Sequence, residues 1–133
     1  KKFTKHVLAN VDDNDVWLKK TKQFLEENDL STERLIHSKD FFSEFSDSNF
    51  DFIFYDLGNM QTRLEFFVPV LKLLDRQGSL MIDDVHKQDY RSYVVKVLKE
   101  QGIPYYNLKN ITLDEYGRYA FAVIGDRNIY RAT

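Results

Sequence analysis

The chain has 133 residues and is 43% hydrophobic, with eleven phenylalanines, so it can build a folded core and we expect one domain, residues 1–133. Its net charge of −2 and its lack of cysteine exclude a basic nucleic-acid footprint, disulfides, thiolate metal sites and a cysteine nucleophile. No apolar stretch approaches the roughly twenty residues that cross a bilayer, so we expect a soluble, cytoplasmic protein with no membrane partner.

The first part of the chain predicts a strand and then a helix. The strand is expected near residues 6–11, and the helix runs from there to about Asn28, with Asn14 or Asp15 as its N-cap. Three- and four-residue spacing predicts that one helix face is shared by Trp17, Thr21, Phe24, Leu25 and Asn28. A short strand near 34–37 and a brief helix at 41–45 follow.

The next strand is the most apolar part of the sequence. Residues 51–56 form an aromatic-rich run, which predicts a strand buried on both faces in the middle of a parallel sheet. A long helix near 61–75 should follow it, with Pro69 either kinking the helix or marking its true start. Gly78 suits a left-handed cap at the end of that helix.

The second half continues the alternation and then changes character. We expect a strand near 79–83 and a helix at 86–101. The inward positions of this helix should be Tyr90, Val94, Val97 and Leu98. Strands near 105–111 and 119–124, separated by a turn, predict an antiparallel hairpin. The fold class is therefore a Rossmann-like three-layer α/β sandwich whose mostly parallel sheet ends in an antiparallel C-terminal hairpin.

Three predicted strands end in acidic residues. The first leads into Asp12 and Asp13, the third ends at Asp56, and the fourth ends at Asp83 and Asp84. In open α/β sheets the ligand crevice lies outside the carboxyl ends of the strands, so these carboxylates are candidate site residues. The plain alternative is that aspartate favours turns and helix N-caps.

Three segments carry a resemblance to a known family: "FDFIFYDLG", "LLDRQGSLMIDDVH" and "DEYGRYAFAVI". From about His6 to Ile124 the chain resembles the class I S-adenosylmethionine-dependent methyltransferases, and most of all the catechol and caffeoyl-CoA O-methyltransferase subgroup. The resemblance implies S-adenosylmethionine as cofactor and a small-molecule methyl acceptor as partner.

The resemblance also implies which residues bind the cofactor. The matching positions are Asp12, Asp13, Ser38, Lys39, Asp40 and Asp56. Asp12 matches the acid that holds the ribose hydroxyls, with Asp13 as the neighbour that could serve instead. A carboxylate suits this task because it accepts hydrogen bonds from two vicinal hydroxyls. The Ser38–Asp40 segment matches the adenine-contacting turn, and Asp56 faces the methionine part and the substrate.

Metal-dependent members of the family place a divalent cation at positions that match Asp56, Asp83 and Asp84. Three oxygen ligands suit Mg²⁺ or Ca²⁺, which would orient an acceptor hydroxyl and lower its pKa. Asp83 and Asp84 can both bind the ion only if the strand has already ended, because adjacent residues in a strand point to opposite sides. Asp56 and His86 are the candidate catalytic residues.

Two departures from the family pattern are visible. The catalytic lysine of the catechol-type enzymes is Asn59 here, so that base is missing; His86 or Lys87 could replace it, the alternative for His86 being that it simply starts a helix. The family binds the methionine end of the cofactor at a G-x-G turn, and none of the five glycines forms one. We therefore expect either the C-terminal part of a larger domain, enzymatic if a glycine-rich βα unit precedes it, or a domain that has lost cofactor binding.

The missing unit has a consequence for the sheet. In the family its strand lies between the strands of Asp12 and Asp56, so here those two strands would become direct neighbours. An exposed central edge would otherwise invite pairing with another chain, which leaves a homodimer open.

A two-component receiver domain is the rival interpretation. Receivers bind Mg²⁺ at an acidic pair that Asp12 and Asp13 would match, and they are phosphorylated at a position that Asp56 would match. Against this, Asp83 and Asp84 stand where receivers carry Ser or Thr, and the chain ends in a predicted hairpin instead of a helix. A non-catalytic α/β interaction module is the third possibility.

Overall fold

The computed structural model describes residues 9–125 and divides the chain into two compact units, Lys1–Ser46 and Asp47–Thr133. Its strands and helices alternate along the chain, which confirms the predicted Rossmann-like α/β class. The start of the first predicted strand, residues 6–8, lies outside the described part. None of the helices within residues 9–125 is long and apolar enough to cross a membrane.

The first unit contains two strands and two helices. They are β1 (Asn10–Asp12), α1 (Asp15–Glu27), β2 (Leu35–His37) and α2 (Ser38–Phe45). β1 and β2 pair in parallel. The Asn14 side chain caps α1, because its Oδ1 accepts from the backbone N–H groups of Val16 at 2.9 Å and Trp17 at 3.3 Å.

The core of the first unit is small. Its buried apolar residues are Leu25, Ile36, Phe41 and Phe45. The predicted apolar face of α1 is therefore wrong for two of its aromatic residues, since Trp17 is 55% and Phe24 61% exposed. The spacing is helical, but within the first unit α1 packs on a two-stranded sheet, and Leu25 is its buried residue.

The second unit holds one four-stranded sheet with its helices. The elements are β3 (Phe50–Tyr55), α3 (Met60–Lys72), β4 (Leu74–Ile82), α4 (Gln88–Glu100), β5 (Tyr106–Asn107), α5 (Lys109–Thr112) and β6 (Phe121–Val123). The strand order is β3-β4-β6-β5, with β3–β4 parallel and the other pairs antiparallel. The antiparallel C-terminal pair is confirmed. The predicted strand at 105–111 is too long, because α5 occupies its second half.

The core of the second unit lies between the sheet and its helices. Its most deeply buried side chains are Phe67, Leu80, Ile82, Val85, Tyr90, Val94, Leu98 and Val123. All four predicted inward residues of α4 are buried. Full burial of one such side chain stabilises a fold by roughly 1.5–3 kcal/mol. Burial of this set therefore stabilises the sheet that carries the strand-end acids.

The prediction that residues 51–56 form a central strand buried on both faces is wrong. Among residues 9–125, β3 is an edge strand of its sheet, and Phe52 and Phe54 are 63% and 53% exposed. Tyr55, on the opposite face, is buried against Phe67 with ring centroids 5.7 Å apart. A run of aromatic residues favours a strand, but it does not indicate whether one face or both faces of that strand are covered by other elements. The expectation that β1 and β3 are direct neighbours is not met among residues 9–125, because β1 pairs with β2 in a separate two-stranded sheet.

Gly78 lies inside β4 and does not cap a helix, which corrects a second expectation. A Cβ at this position would lie 2.8 Å from the carbonyl oxygen of Phe50 and 3.0 Å from that of Asp51. The glycine thus permits a close backbone approach where the β3–β4 register shifts. Pro69 does not mark the start of α3, which begins at Met60 and continues through the proline.

Candidate functional site

The first acidic strand end lies in the first unit. Asp12 is the last residue of β1 and pairs in register with His37, the last residue of β2. Because the strands are parallel, both side chains stand at the carboxyl edge of this sheet. α2 begins at Ser38, immediately after His37. The structure therefore brings the predicted ribose acid next to the predicted adenine segment.

Local hydrogen bonds fix this edge. Asp12 Oδ1 accepts from the backbone N–H of Asn14 at 2.9 Å. Burial raises the pKa of the Asp12 carboxyl, the Asn14 hydrogen bond opposes that shift, and the neighbouring Asp13 charge adds to it. No lysine or arginine among residues 9–125 forms an ion pair with Asp12. The Asp12 carboxyl instead interacts with the Asp13 side chain beside it and with the Asn14 backbone.

The adenine segment is the first turn of a helix and not a free turn. His37 caps α2, because its Nδ1 accepts from the backbone N–H of Lys39 at 3.1 Å. Its Nε2 lies 3.9 Å from Asp15 Oδ1. Ser38 is buried, whereas Lys39 and Asp40 are exposed. The sequence analysis missed His37, although a polar residue between a strand and a helix is an N-cap signal.

The second acidic strand end lies in the second unit. Tyr55 pairs with Ile82 across the parallel β3–β4 ladder, and the N–H of Asp83 donates to the Tyr55 carbonyl at 3.1 Å. Asp56 and Asp83 therefore leave the sheet side by side. β4 has ended at Ile82, and Asp84 adopts a left-handed backbone with φ of 58°. Non-glycine residues adopt this conformation at a cost, often at functional sites.

A buried arginine from α3 lies among these acids. Arg63 is 3% exposed, and its Nη2 donates to Asp56 Oδ1. Its Nε donates to the carbonyl oxygen of Leu57, and its Nη1 lies 3.3 Å from Asp84 Oδ2. The guanidinium carbon is 5.8 Å from the centroid of the Tyr90 ring. One cation therefore links the ends of β3 and β4.

The predicted metal set does not form a cage. Asp83 Oδ1 accepts from the N–H of Asp84 at 2.8 Å, so the Asp83 side chain is hydrogen-bonded to the backbone of the next residue. Asp56 and Asp84 are both held by Arg63. Within residues 9–125, no group of three histidine, aspartate or glutamate side chains is placed to hold a metal ion. The spacing of the acids was right, but the cation between them is an arginine.

His86 and Lys87 complete the cluster from the loop before α4. His86 Nδ1 lies 3.6 Å from Asp84 Oδ1, and Lys87 Nζ lies 3.5 Å from Asp84 Oδ2. His86 Nδ1 is buried and has no hydrogen-bond partner. The N-cap position of α4 is Lys87, so Asp84 does not cap that helix. Asp84 thus stands between a buried cation, a histidine and a lysine.

The charges in this cluster act on one another. Partial burial raises the pKa of Asp56; Arg63 opposes that shift, and the charges of Asp83 and Asp84 add to it. Burial also raises the pKa of the Tyr90 hydroxyl, which keeps that group neutral. The site is therefore a compact set of charges at a rim that water reaches through Asp56, whose side chain is 42% exposed.

The sequence analysis missed Arg63. The signal was present, because Arg63 occupies the same helix face as Phe67, Val70 and Leu71, all of which are buried. A buried arginine needs a negative partner, and two of the strand-end acids supply it. The acidic spacing alone favours an external ion, whereas the cation beside Asp56 and Asp84 belongs to the chain itself.

Comparisons with known proteins give structural matches alone. No family model and no curated protein sequence matches the chain. An O-methyltransferase from Bacillus cereus in complex with SAH superposes with a TM-score of 0.62 and 18% identity, covering 86% of this chain. A protein from Staphylococcus aureus assigned as a caffeoyl-CoA O-methyltransferase gives 0.59, 18% and 86%. The chain spans 60% and 63% of these two structures, so it has the fold of the O-methyltransferases over part of their length.

Proposed function

We propose that this domain takes part in S-adenosylmethionine-dependent methyl transfer to a small-molecule acceptor. The single observation that carries the proposal is the pairing of Asp12 with His37 at the start of α2. A carboxylate with no ion pair among residues 9–125 thus lies beside the first turn of a helix, which suits the hydroxyls and ring nitrogens of a nucleoside. The O-methyltransferase fold, and the SAH bound to the Bacillus cereus protein, support the nucleoside as adenosine.

Each unit is assigned its own part of the reaction. Asp12, with Asp13 beside it, would hold the ribose, and the exposed Lys39 and Asp40 would flank the adenine beside buried Ser38. Asp56 would face the methionine end and the acceptor. The expectation that Asp56 shares one rim with Asp12 crosses from one unit to the other and stays a prediction.

When bound, the cofactor supplies an electrophilic methyl group. The acceptor oxygen must lose a proton as it attacks, and His86 is the residue we assign as base. Asp84, 3.6 Å from His86 Nδ1, would stabilise the imidazolium that results. Lys87 is the second candidate base, although Asp84 already neutralises it at 3.5 Å.

Metal assistance fits these residues poorly. Asp56 and Asp84 already share Arg63, so we route no step through Mg²⁺ or Ca²⁺. No G-x-G turn occurs in the 133 residues, and a further glycine-rich unit would supply the methionine-binding part. Cytoplasmic location, a possible homodimer and the absence of nucleic-acid and membrane partners stay predictions.

The receiver hypothesis finds less support. A receiver sheet is parallel throughout, whereas β6 runs antiparallel to β4 and β5. Asp56, which would have to accept the phosphoryl group, is occupied by Arg63. Absence of label at Asp56 after incubation with a small-molecule phosphodonor would agree with this conclusion.

Calorimetric titration with adenosine and with SAH tests the proposal. Adenosine is the sharper probe, because it lacks the methionine end that the missing G-x-G turn would bind. We expect saturable adenosine binding that weakens about tenfold or more in Asp12→Asn, since an amide accepts fewer strong hydrogen bonds than a carboxylate. Glu33→Gln is the matched control, because Glu33 is an exposed acid that precedes β2 at the opposite end of the strand.

Two results would overturn the proposal. One is the absence of binding by either probe at millimolar concentration to a folded sample. The other is equal weakening in Asp12→Asn and Glu33→Gln, because binding would then not depend on the β1–β2 edge.

A further inference from the structure

We infer that Arg63 fills the cation position of the Asp56–Asp84 cluster, so that this strand end is built to work without a divalent metal. The inference concerns the ion balance of the second unit alone and does not depend on methyl transfer. It assigns Arg63 as a positioning residue, which acts by holding two carboxylates that belong to separate strand ends.

The guanidinium of Arg63 contacts groups from both strand ends. Its Nη2 donates to Asp56, its Nη1 lies 3.3 Å from Asp84 Oδ2, and its Nε donates to the Leu57 carbonyl. The planar fork therefore donates two hydrogen bonds, and its buried Nη1, which has no hydrogen-bond partner among residues 9–125, keeps Asp84 at ion-pair distance; an ammonium group lacks this fixed arrangement of donors. The Leu57 contact ties the fork to the backbone, so the cation cannot leave the acids without losing a buried hydrogen bond.

Arg63 and Asp84 are both largely shielded from water. The Arg63 side chain is 4% exposed, and the Asp84 side chain is 16% exposed. An arginine that merely paired on the surface could swing into water and make room for an ion. This one is enclosed, with the Tyr90 ring 5.8 Å from its guanidinium carbon. Leaving the acids would place a charge in the core without a partner, which is strongly unfavourable.

The charges of the cluster also disfavour a bound divalent ion. Asp56, Asp83 and Asp84 bring three negative charges, and Arg63 and Lys87 bring two positive charges. A divalent ion between Asp56 and Asp84 would lie beside the Arg63 guanidinium, and the two like charges would repel each other. The arginine therefore takes the place of the ion instead of assisting it.

Manganese titration followed by electron paramagnetic resonance tests the inference, because the signal of free Mn²⁺ falls as the ion binds. The wild-type chain should show no saturable binding at millimolar Mn²⁺. Arg63→Gln removes the cation and keeps an amide donor for the Leu57 carbonyl. It should bind Mn²⁺ about tenfold or more tightly than wild type, because two carboxylates lose their internal partner.

Arg76→Gln is the matched control, since it removes one positive charge from an exposed position in β4 and should leave Mn²⁺ binding at the wild-type level. Arg63→Lys keeps the charge and should also bind no Mn²⁺. The double variant Arg63→Gln with Asp56→Asn should lose the binding that Arg63→Gln gains.

The inference is overturned by saturable Mn²⁺ binding to wild type that disappears in Asp84→Asn. It is also overturned if folded Arg63→Gln binds no more Mn²⁺ than Arg76→Gln. Should Arg63→Gln fail to fold in buffer, its circular dichroism is followed in excess Mn²⁺. Recovery of the folded spectrum supports the inference by mass action, and no recovery contradicts it.

Discussion

Asp12 ends β1 in the first unit and Asp13 follows it, whereas Asp83 and Asp84 follow β4 in the second unit. In sequence the two pairs look alike, since each is an acidic dipeptide after a short apolar run. In the structure they differ in their partners. Asp84 lies within 4 Å of Arg63, His86 and Lys87. Asp12 accepts a backbone hydrogen bond and has no ion pair within residues 9–125.

The difference separates two uses of the same motif. Asp84 has cationic partners within the second unit and lies 3.6 Å from His86 Nδ1. Asp12 has no ion pair among residues 9–125, and vicinal hydroxyls are suitable donors to such a carboxylate. We therefore propose ligand binding at the β1 end and proton handling at the β4 end. Three predictions test that contrast.

The largest effect should follow the removal of Arg63. Arg63→Met leaves Asp56 and Asp84 without their shared partner, and it should lower the free energy of unfolding by about 1.5–3 kcal/mol, the range for hydrogen bonds to charged groups, because Asp56 is partly exposed and regains water. Urea denaturation followed by circular dichroism measures it. Arg76→Met, at an exposed position, should change stability by less than about 0.5 kcal/mol. Similar losses for the two variants would remove the special role of Arg63.

A smaller effect should follow the loss of a hydrogen bond that supports the arginine. The buried Tyr55 hydroxyl donates to the Arg63 carbonyl at 2.8 Å. Tyr55→Phe leaves that carbonyl without this donor, which costs roughly 1–2 kcal/mol. Tyr116→Phe, at a side chain that is 73% exposed, is the matched control and should be near neutral. A stability equal to wild type for Tyr55→Phe would show that the support is not needed.

The sequence was sufficient for the order of elements and for the acids at strand ends. Hydrophobic spacing located α4 and its inward residues, because one face of that helix packs on a complete sheet. It failed for α1, where the covering layer is too narrow to bury Trp17 and Phe24. Spacing records which side chains could share a face, and tertiary structure decides whether that face is covered.

The candidate site was predicted in part for a similar reason. Asp56, Asp83 and Asp84 do meet at one sheet edge, because the Tyr55–Ile82 register aligns two parallel strands. The partner of these acids comes from α3, and its side chain reaches them only in the folded unit. Arg63 stands in an apolar stripe, and an arginine there indicates a buried counter-charge. A rule that pairs such a cation with nearby strand-end acids would have predicted the cluster.

The smallest effect concerns the pKa of Asp12 at the β1 end. Burial and the Asp13 charge raise the pKa of Asp12 above its ordinary 3.8. The folded first unit therefore favours the protonated form of Asp12 more than the unfolded chain does. Charged Asp12 therefore lowers the stability of that unit at neutral pH. Wild type regains this stability as the pH falls through the raised pKa towards 3.8, where the unfolded chain also takes up the proton.

Asp12→Asn imitates the protonated carboxyl and keeps an oxygen for the Asn14 N–H. We expect it to raise the melting temperature of the first unit at pH 7, with the difference disappearing near pH 4. The fluorescence of Trp17, the chain's one tryptophan, reports on α1 and thus on this unit. Glu33→Gln should show no such pH-dependent gain. A loss of stability in Asp12→Asn at pH 7 would mean that the chain already neutralises Asp12, as it does Asp84. A gain in stability together with weaker adenosine binding is the pattern of a residue kept for its ligand at the expense of the fold.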